Sequence, residues 1–132
     1  MKFSNDAILA TFSFNYLDYQ DKLFDVYNEY YTADGARSLD SVLNKRQFFK
    51  YMNDGSLLLI HPELVENSVI VKQGKSSNGV DAWVVDTKIK IATVSLGRER
   101  KDTYSFQLII EKMPIEERRS QLGIAVIQQQ ES

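Results

Sequence analysis

Apolar residues recur at two different periods along this chain, and the period changes near residue 55. In the first part, Tyr19, Leu23, Val26, Tyr27 and Tyr30 follow one another at spacings of three and four, which is one face of a helix running from a cap at Asp18 to Tyr31. Ahead of it, Ser4, Asn5 and Asp6 offer caps for a short helix that starts with Ala7-Ile8-Leu9-Ala10. Thr32-Ala33-Asp34-Gly35 reads as a break and a fresh cap, and Ala36, Leu39, Val42 and Leu43 give a third helical face. Asn44 and Gln47 have the spacing of a capping box, which predicts a fourth helix carrying Phe48, Phe49 and Met52. Asn53-Asp54-Gly55-Ser56 ends it.

The second part alternates. Trp83, Val85, Thr87, Ile89 and Ile91 share one face of a strand, with Asp86, Lys88 and Lys90 on the other. That is the pattern of an antiparallel sheet with one wet face. After Ala92 the apolar phase moves to Val94 and Leu96, and a bulge or sharp bend there would restore pairing. Gly97 to Asp102 reads as a charged hairpin tip. Tyr104, Phe106, Leu108 and Ile110 make the returning strand. Leu122, Ile124 and Val126 make a last one, after a polar loop from Ile115 to Gln121. Val69 and Val71 form an earlier strand before the turn from Gly74 to Gly79. Helices followed by hairpin-linked strands give an α+β fold: helices packed on the concave face of a curved antiparallel sheet of about four strands. By analogy this is a cone like that of nuclear transport factor 2. The chain has no internal repeat and no linker, so residues 1–132 read as a single domain.

Composition narrows the function without naming it. Hydrophobic residues are 43% and charged residues 26%, which excludes a mainly disordered chain. No apolar run approaches the roughly 20 residues that span a bilayer, and the start of the chain is not a signal peptide. The formal net charge of −2 argues against a dedicated nucleic-acid binder. Charge is uneven, however. Residues 1–43 are acidic, whereas 86–101 carry Lys88, Lys90, Arg98, Arg100 and Lys101 against two acids; this reads first as solvated faces of a helix layer and a hairpin, and otherwise as a dipolar molecule that stacks on copies of itself or docks a charged partner.

Candidate chemistry is sparse. The chain has no cysteine, which removes disulfides, thiolate zinc sites and a thiol nucleophile. His61 is the one histidine and reads as a surface or loop residue near the first strand, because no second histidine or cysteine exists to build a metal site with it. Asp18, Asp21 and Asp25 share a helix face at cation-holding spacing and read as an acidic surface. There is no phosphate-binding glycine loop and no nucleophile elbow. Trp83 falls on the apolar strand face, so a core role is expected of it. No catalytic, cofactor-binding or metal-binding residue is assigned. The oddity is the crowding of Tyr16, Tyr19, Tyr27, Tyr30 and Tyr31, which one helix face cannot bury entirely. Exposed tyrosines at a rim suit protein contacts.

Three segments together resemble the extracytoplasmic domain of the DotI/IcmL/TraM family. One runs from Phe12-Ser13-Phe14-Asn15-Tyr16 through Tyr19 and Leu23 to Tyr30-Tyr31-Thr32-Ala33-Asp34-Gly35. Another is Trp83 leading a strand with Val85, Ile89 and Ile91. The last is Met113-Pro114, then Arg118-Arg119, then Leu122-Gly123-Ile124-Ala125. Ala33, Ala36, Lys88 and Val126 depart from residues common in the family. The resemblance implies a fold similar to the periplasmic domain of the VirB-type scaffold protein. It also implies an inner-membrane component of a type IVB secretion or conjugative DNA-transfer apparatus, not an enzyme and without a cofactor. An N-terminal transmembrane helix, expected to precede this sequence, would hold the domain on the periplasmic side of the inner membrane. The implied partners are copies of the chain, in an oligomer, and other apparatus components, with no direct nucleic acid and membrane contact only through that helix. The residues expected to bind partners are Tyr19, Tyr30, Tyr31, Arg98, Arg100, Lys101, Glu116, Arg118 and Arg119. The alternative is a small-molecule binding domain or enzyme of the cone-like class, which needs an apolar pocket at the open end of the cone.

Overall fold

Four helices, α1 (Lys2–Thr11), α2 (Tyr19–Tyr30), α3 (Ala33–Arg46) and α4 (Phe48–Asn53), lie on one face of a six-stranded antiparallel sheet. The strands are β1 (Phe14–Asn15), β2 (Leu59–Leu64), β3 (Val69–Lys75), β4 (Asp81–Ser95), β5 (Arg98–Lys112) and β6 (Leu122–Gln130). The structure is a computed structural model that describes residues 2–77, 79–113 and 122–130. The sheet curls into a half-barrel, the curved α+β arrangement expected from the two periods, with more strands than the four predicted.

The long β4–β5 hairpin is its spine. The register runs unbroken from Ala82 opposite Glu111 to Ser95 opposite Arg98. Val85, Thr87, Ile89 and Ile91 are buried on the concave face with Phe106, Leu108 and Ile110, as alternation predicts. The bulge expected after Ala92 is absent; Ala92 to Ser95 are half-buried, so alternation has no buried face to track there. Register shifts fall instead between Ile70 and Lys72 of β3, and opposite Ile109 and Ile110, where Ala125 of β6 is the extra residue. Ile124 and Ala125 are therefore both buried, Val126 turns outward and Ile127 turns in. The hairpin tip is also tighter than expected. Leu96-Gly97 makes the turn, with Gly97 at φ 73°, and Arg98 to Asp102 belong to β5.

Strands β2 and β3 share one side of β4. β2 pairs with Ile89–Val94, β3 with Asp81–Asp86, and residues 65–68 carry the chain from one to the other. This junction is pinned from above. Asn5 Oδ1 accepts hydrogen bonds from Ser68 N (3.0 Å) and Ser68 Oγ (2.7 Å), and the Ser68 hydroxyl reaches Thr87 Oγ1 at 3.1 Å. Ser4, Asn5 and Asp6 thus sit inside α1 rather than capping it, because the helix begins at Lys2.

Helix α3 follows its sequence signals more closely. Thr32 caps it by accepting Gly35 N at 3.0 Å, and Lys45 and Arg46 close its last turn. Asn44 stays inside this helix, so the capping box does not form; Gln47, left-handed at φ 60°, makes the corner into α4. Asp18 precedes α2 at the cap position without a side-chain cap bond.

The concave face is full. Phe12 stacks on Phe106 with ring centroids 5.0 Å apart, and Ile8, Phe14, Leu39, Leu43 and Ile60 are all buried around them. Each such side chain contributes about 1.5–3 kcal/mol on burial.

Candidate partner-binding surfaces

The tyrosines divide into core and rim. Tyr19 is only 7% exposed, stacks on Phe49 at 4.9 Å and bonds Asn53 through its hydroxyl. Tyr31 is 1% exposed, its hydroxyl 2.7 Å from Thr11 Oγ1, and burial pushes its ionisation well above the ordinary phenol range. Neither ring is open to a partner, which corrects the expectation for both. Tyr19 turns into the α2–α4 seam, and Tyr31 forms the isolated parallel bridge with Ile124 that joins the helix layer to β6. Tyr30 is half-buried, tilted against Phe3 at 5.8 Å, and stays at the rim.

The exposed apolar residues of this layer are Leu17 at 78%, Phe24 at 66%, Tyr16 and Tyr51. Tyr16 and Leu17 lie in the β1–α2 turn, where Asn15 Oδ1 accepts Leu17 N at 2.9 Å. Phe24 was legible in principle, because it falls off the Tyr19–Leu23–Val26–Tyr27–Tyr30 stripe.

Arg98, Arg100 and Lys101 are exposed as expected but do not form one patch. In a strand successive side chains alternate, so Arg98 and Arg100 share a face and Lys101 takes the other. Arg100 pairs with Asp102 (Nε to Oδ2, 2.9 Å), and Lys101 lies 3.9 Å from Glu99. Glu116, Arg118 and Arg119 lie outside the described residues. His61 is exposed, on β2 rather than in a loop. Trp83 is half-buried and packs on the core. Among the described residues no group of His, Asp or Glu is placed to hold a metal ion, and no helix is long and apolar enough to cross a membrane.

Two of the outer strands of the sheet, β6 and β3, differ sharply. The free side of β6 is closed by α3. Thr32 N donates to Ile124 O at 3.0 Å, Ile127 N donates to Ser38 Oγ at 2.9 Å, and the same hydroxyl donates to Ile127 O at 2.7 Å. Gly35 permits this contact. A Cβ there would lie 1.7 Å from Ile124 O. On the opposite side, β1 covers β2 through Phe14–Ile60 and Asn15–Leu59, but among the described residues no strand lies beyond β3. All seven residues of β3 are exposed, Val69 at 55%, Ile70 at 46% and Val71 at 51%. Beside it, on the convex face, a trough of about 340 Å³ runs past Lys72 and Gly74 over Ala82, Val84, Ile109 and Val126.

Residues 1–131 match the model of the DotI/IcmL family, described as a type-IV b secretion system inner-membrane complex component. The chain belongs to this family. Solved structures carry the same fold at low identity. The periplasmic domain of DotI is 18% identical, with a TM-score of 0.89 over 99% of this chain and 92% of that one. A periplasmic fragment of TraM is 15% identical, with a TM-score of 0.90 over 100% and 95%. An IcmL-like type IV secretion system protein from Legionella pneumophila is 16% identical, with a TM-score of 0.80 over 98% and 88%. No curated protein sequence matches the chain. The half-barrel with its helix layer is thus the DotI/IcmL fold, and the resemblance read from the Tyr-rich helix, the Trp83 strand and the last strand identified the family.

Proposed function

We propose that this chain is the periplasmic domain of an inner-membrane component of a type IV secretion or conjugative DNA-transfer apparatus, acting as a scaffold through protein–protein contact and not by catalysis. The observation that carries the reading is the family match along 1–131, on a fold shared with periplasmic domains of secretion and conjugation proteins. A membrane helix ahead of Lys2 would tether the domain, and tethering raises the effective concentration, so individually small contacts suffice. Its partners would be copies of itself and other apparatus components. Filling of the concave face by Phe12, Phe106 and Leu39 speaks against the cone-pocket alternative.

Two measurements test the reading. The native gene upstream of the Lys2 codon should encode about 20 apolar residues with basic cytoplasmic flanks; a gene without them removes the tethered-domain model. Charge reversal at Arg98, Arg100 and Lys101 should weaken assembly or transfer while the circular dichroism melt stays unchanged. Unaltered assembly and transfer would remove that hairpin from the contact surface.

A further inference from the structure

We propose that the free edge of β3 is a strand-addition site for an extended segment of another protein, one that sets an acidic side chain opposite Lys72 and a leucine-sized side chain opposite Gly74. The proposal deepens the scaffold reading and rests on it for its biological setting.

An edge strand offers a row of unpaired backbone donors and acceptors, and proteins usually blunt such rows with short strands, bulges, inserted charge or a covering element. Here β6 has its cover in α3, and β2 has β1. β3 has a bulge at Val71, which divides it into a short run at Val69–Ile70 and a longer one at Lys72–Lys75. The longer run borders the trough. In strand addition, main-chain bonds supply affinity while pockets for alternate side chains supply selectivity. Lys72 and Gly74 pair with Val84 and Ala82, so they share the convex face, two residues apart on one strand. A Cβ on Gly74 would meet nothing within 4 Å, so the trough opens to the edge at that position. Its floor and far wall, Ala82, Val84, Ile109 and Val126, are apolar, and Glu111 lines the end beside Ala82.

Charge selects the occupant. β3 carries Lys72 and Lys75 and no acid. Lys75 is neutralised by Asp81 at 2.7 Å, whereas Lys72 has no ion pair among the described residues. Two copies joined edge to edge would bring the unpaired Lys72 of each to one short ladder, which like-charge repulsion disfavours. An acidic segment gains an ion pair at the same place.

The test is an amide and methyl NMR titration of the chain with the acetylated, amidated hexapeptide Thr-Leu-Thr-Glu-Thr-Thr, alongside versions with lysine for glutamate and alanine for leucine. Shifts should concentrate on Lys72–Lys75 and on the Val84, Ile109 and Val126 methyls. The lysine peptide should bind about tenfold more weakly. Lys72→Glu should reverse that preference, and Gly74→Val should abolish the advantage of leucine over alanine. Shifts absent at millimolar peptide, centred elsewhere, or equal for glutamate and lysine peptides would overturn the proposal. So would β3 shifts that depend on protein concentration without peptide, which would mean self-pairing. Co-purification of the full-length protein with its membrane complex separates the two ideas. Peptide failure with intact co-purification removes the edge site alone, and peptide binding without co-purification removes the scaffold reading alone.

Discussion

Two of the outer strands of one sheet, β6 and β3, have been treated in opposite ways. β6 spends its free side on α3, through Thr32, Ser38 and the bare backbone of Gly35. β3 meets no such element among the described residues and turns Val69, Ile70 and Val71 to the surface. A backbone edge closed by helix contacts serves stability, because each buried polar group needs its partner. A backbone edge left open contributes little to folding and remains available for association. The contrast therefore separates the part of the molecule that holds the fold from the part free to act.

The sharpest way to break the contrast is Gly35→Ala. The new methyl would collide with the Ile124 carbonyl, and backbone on both sides resists moving. α3 must lift off β6, and urea unfolding should show a loss of about 3 kcal/mol or more. An unchanged midpoint would mean that α3 does not hold this edge.

High pH acts on the same side. Tyr31, bridged to Ile124, ionises above its ordinary value of 10.0 because it is buried. Tyr27 is raised as well, by burial first and then by its hydrogen bond to Asp40. Above pH ~10 the unfolded chain releases phenolic protons that the folded chain keeps, so stability is whole below that value and falls as pH climbs toward the folded-state ionisation. Ultraviolet titration of phenolate should show these two rings ionising together with unfolding. Reversible ionisation of all seven tyrosines near 10 in the folded protein would contradict the burial of Tyr31.

Ser38→Ala is a milder probe. It removes the hydroxyl that both donates to and accepts from Ile127, at a cost of about 1–2 kcal/mol. Exchange of the Ile127 amide should quicken more than that of its neighbours. On the other side, Val71→Thr should change stability by no more than about 0.5 kcal/mol, since this bulged residue is already half in water. A large loss there would mean that the β3 edge is structural after all.

Much of this was legible before the fold. The period change near residue 55 separated helices from strands, and the alternation from Trp83 and from Tyr104 set the buried face of the central hairpin correctly. What local pattern could not supply was anything decided by a distant partner. Ala125 bulges because β6 must meet both β5 and Tyr31, so Val126, on the apolar alternation, points outward. β1 has two residues and exists only through β2. Two of the tyrosines failed as a surface signal for a related reason. Tyr19 and Tyr31 are held by Phe49, Asn53 and Thr11, which lie far away in sequence. The basic hairpin residues were correctly exposed, but only the observed two-residue turn reveals that alternation divides them between faces.

Hydrogen exchange, measured amide by amide in the isolated chain and again in the assembled membrane complex, decides whether β3 is an open edge that assembly covers. The outward amides of β3 should exchange rapidly and Ile127 slowly in the isolated chain, with β3 becoming protected on assembly. Slow β3 exchange in isolation, or β3 amides that stay fast in the complex, would contradict an open edge that assembly covers.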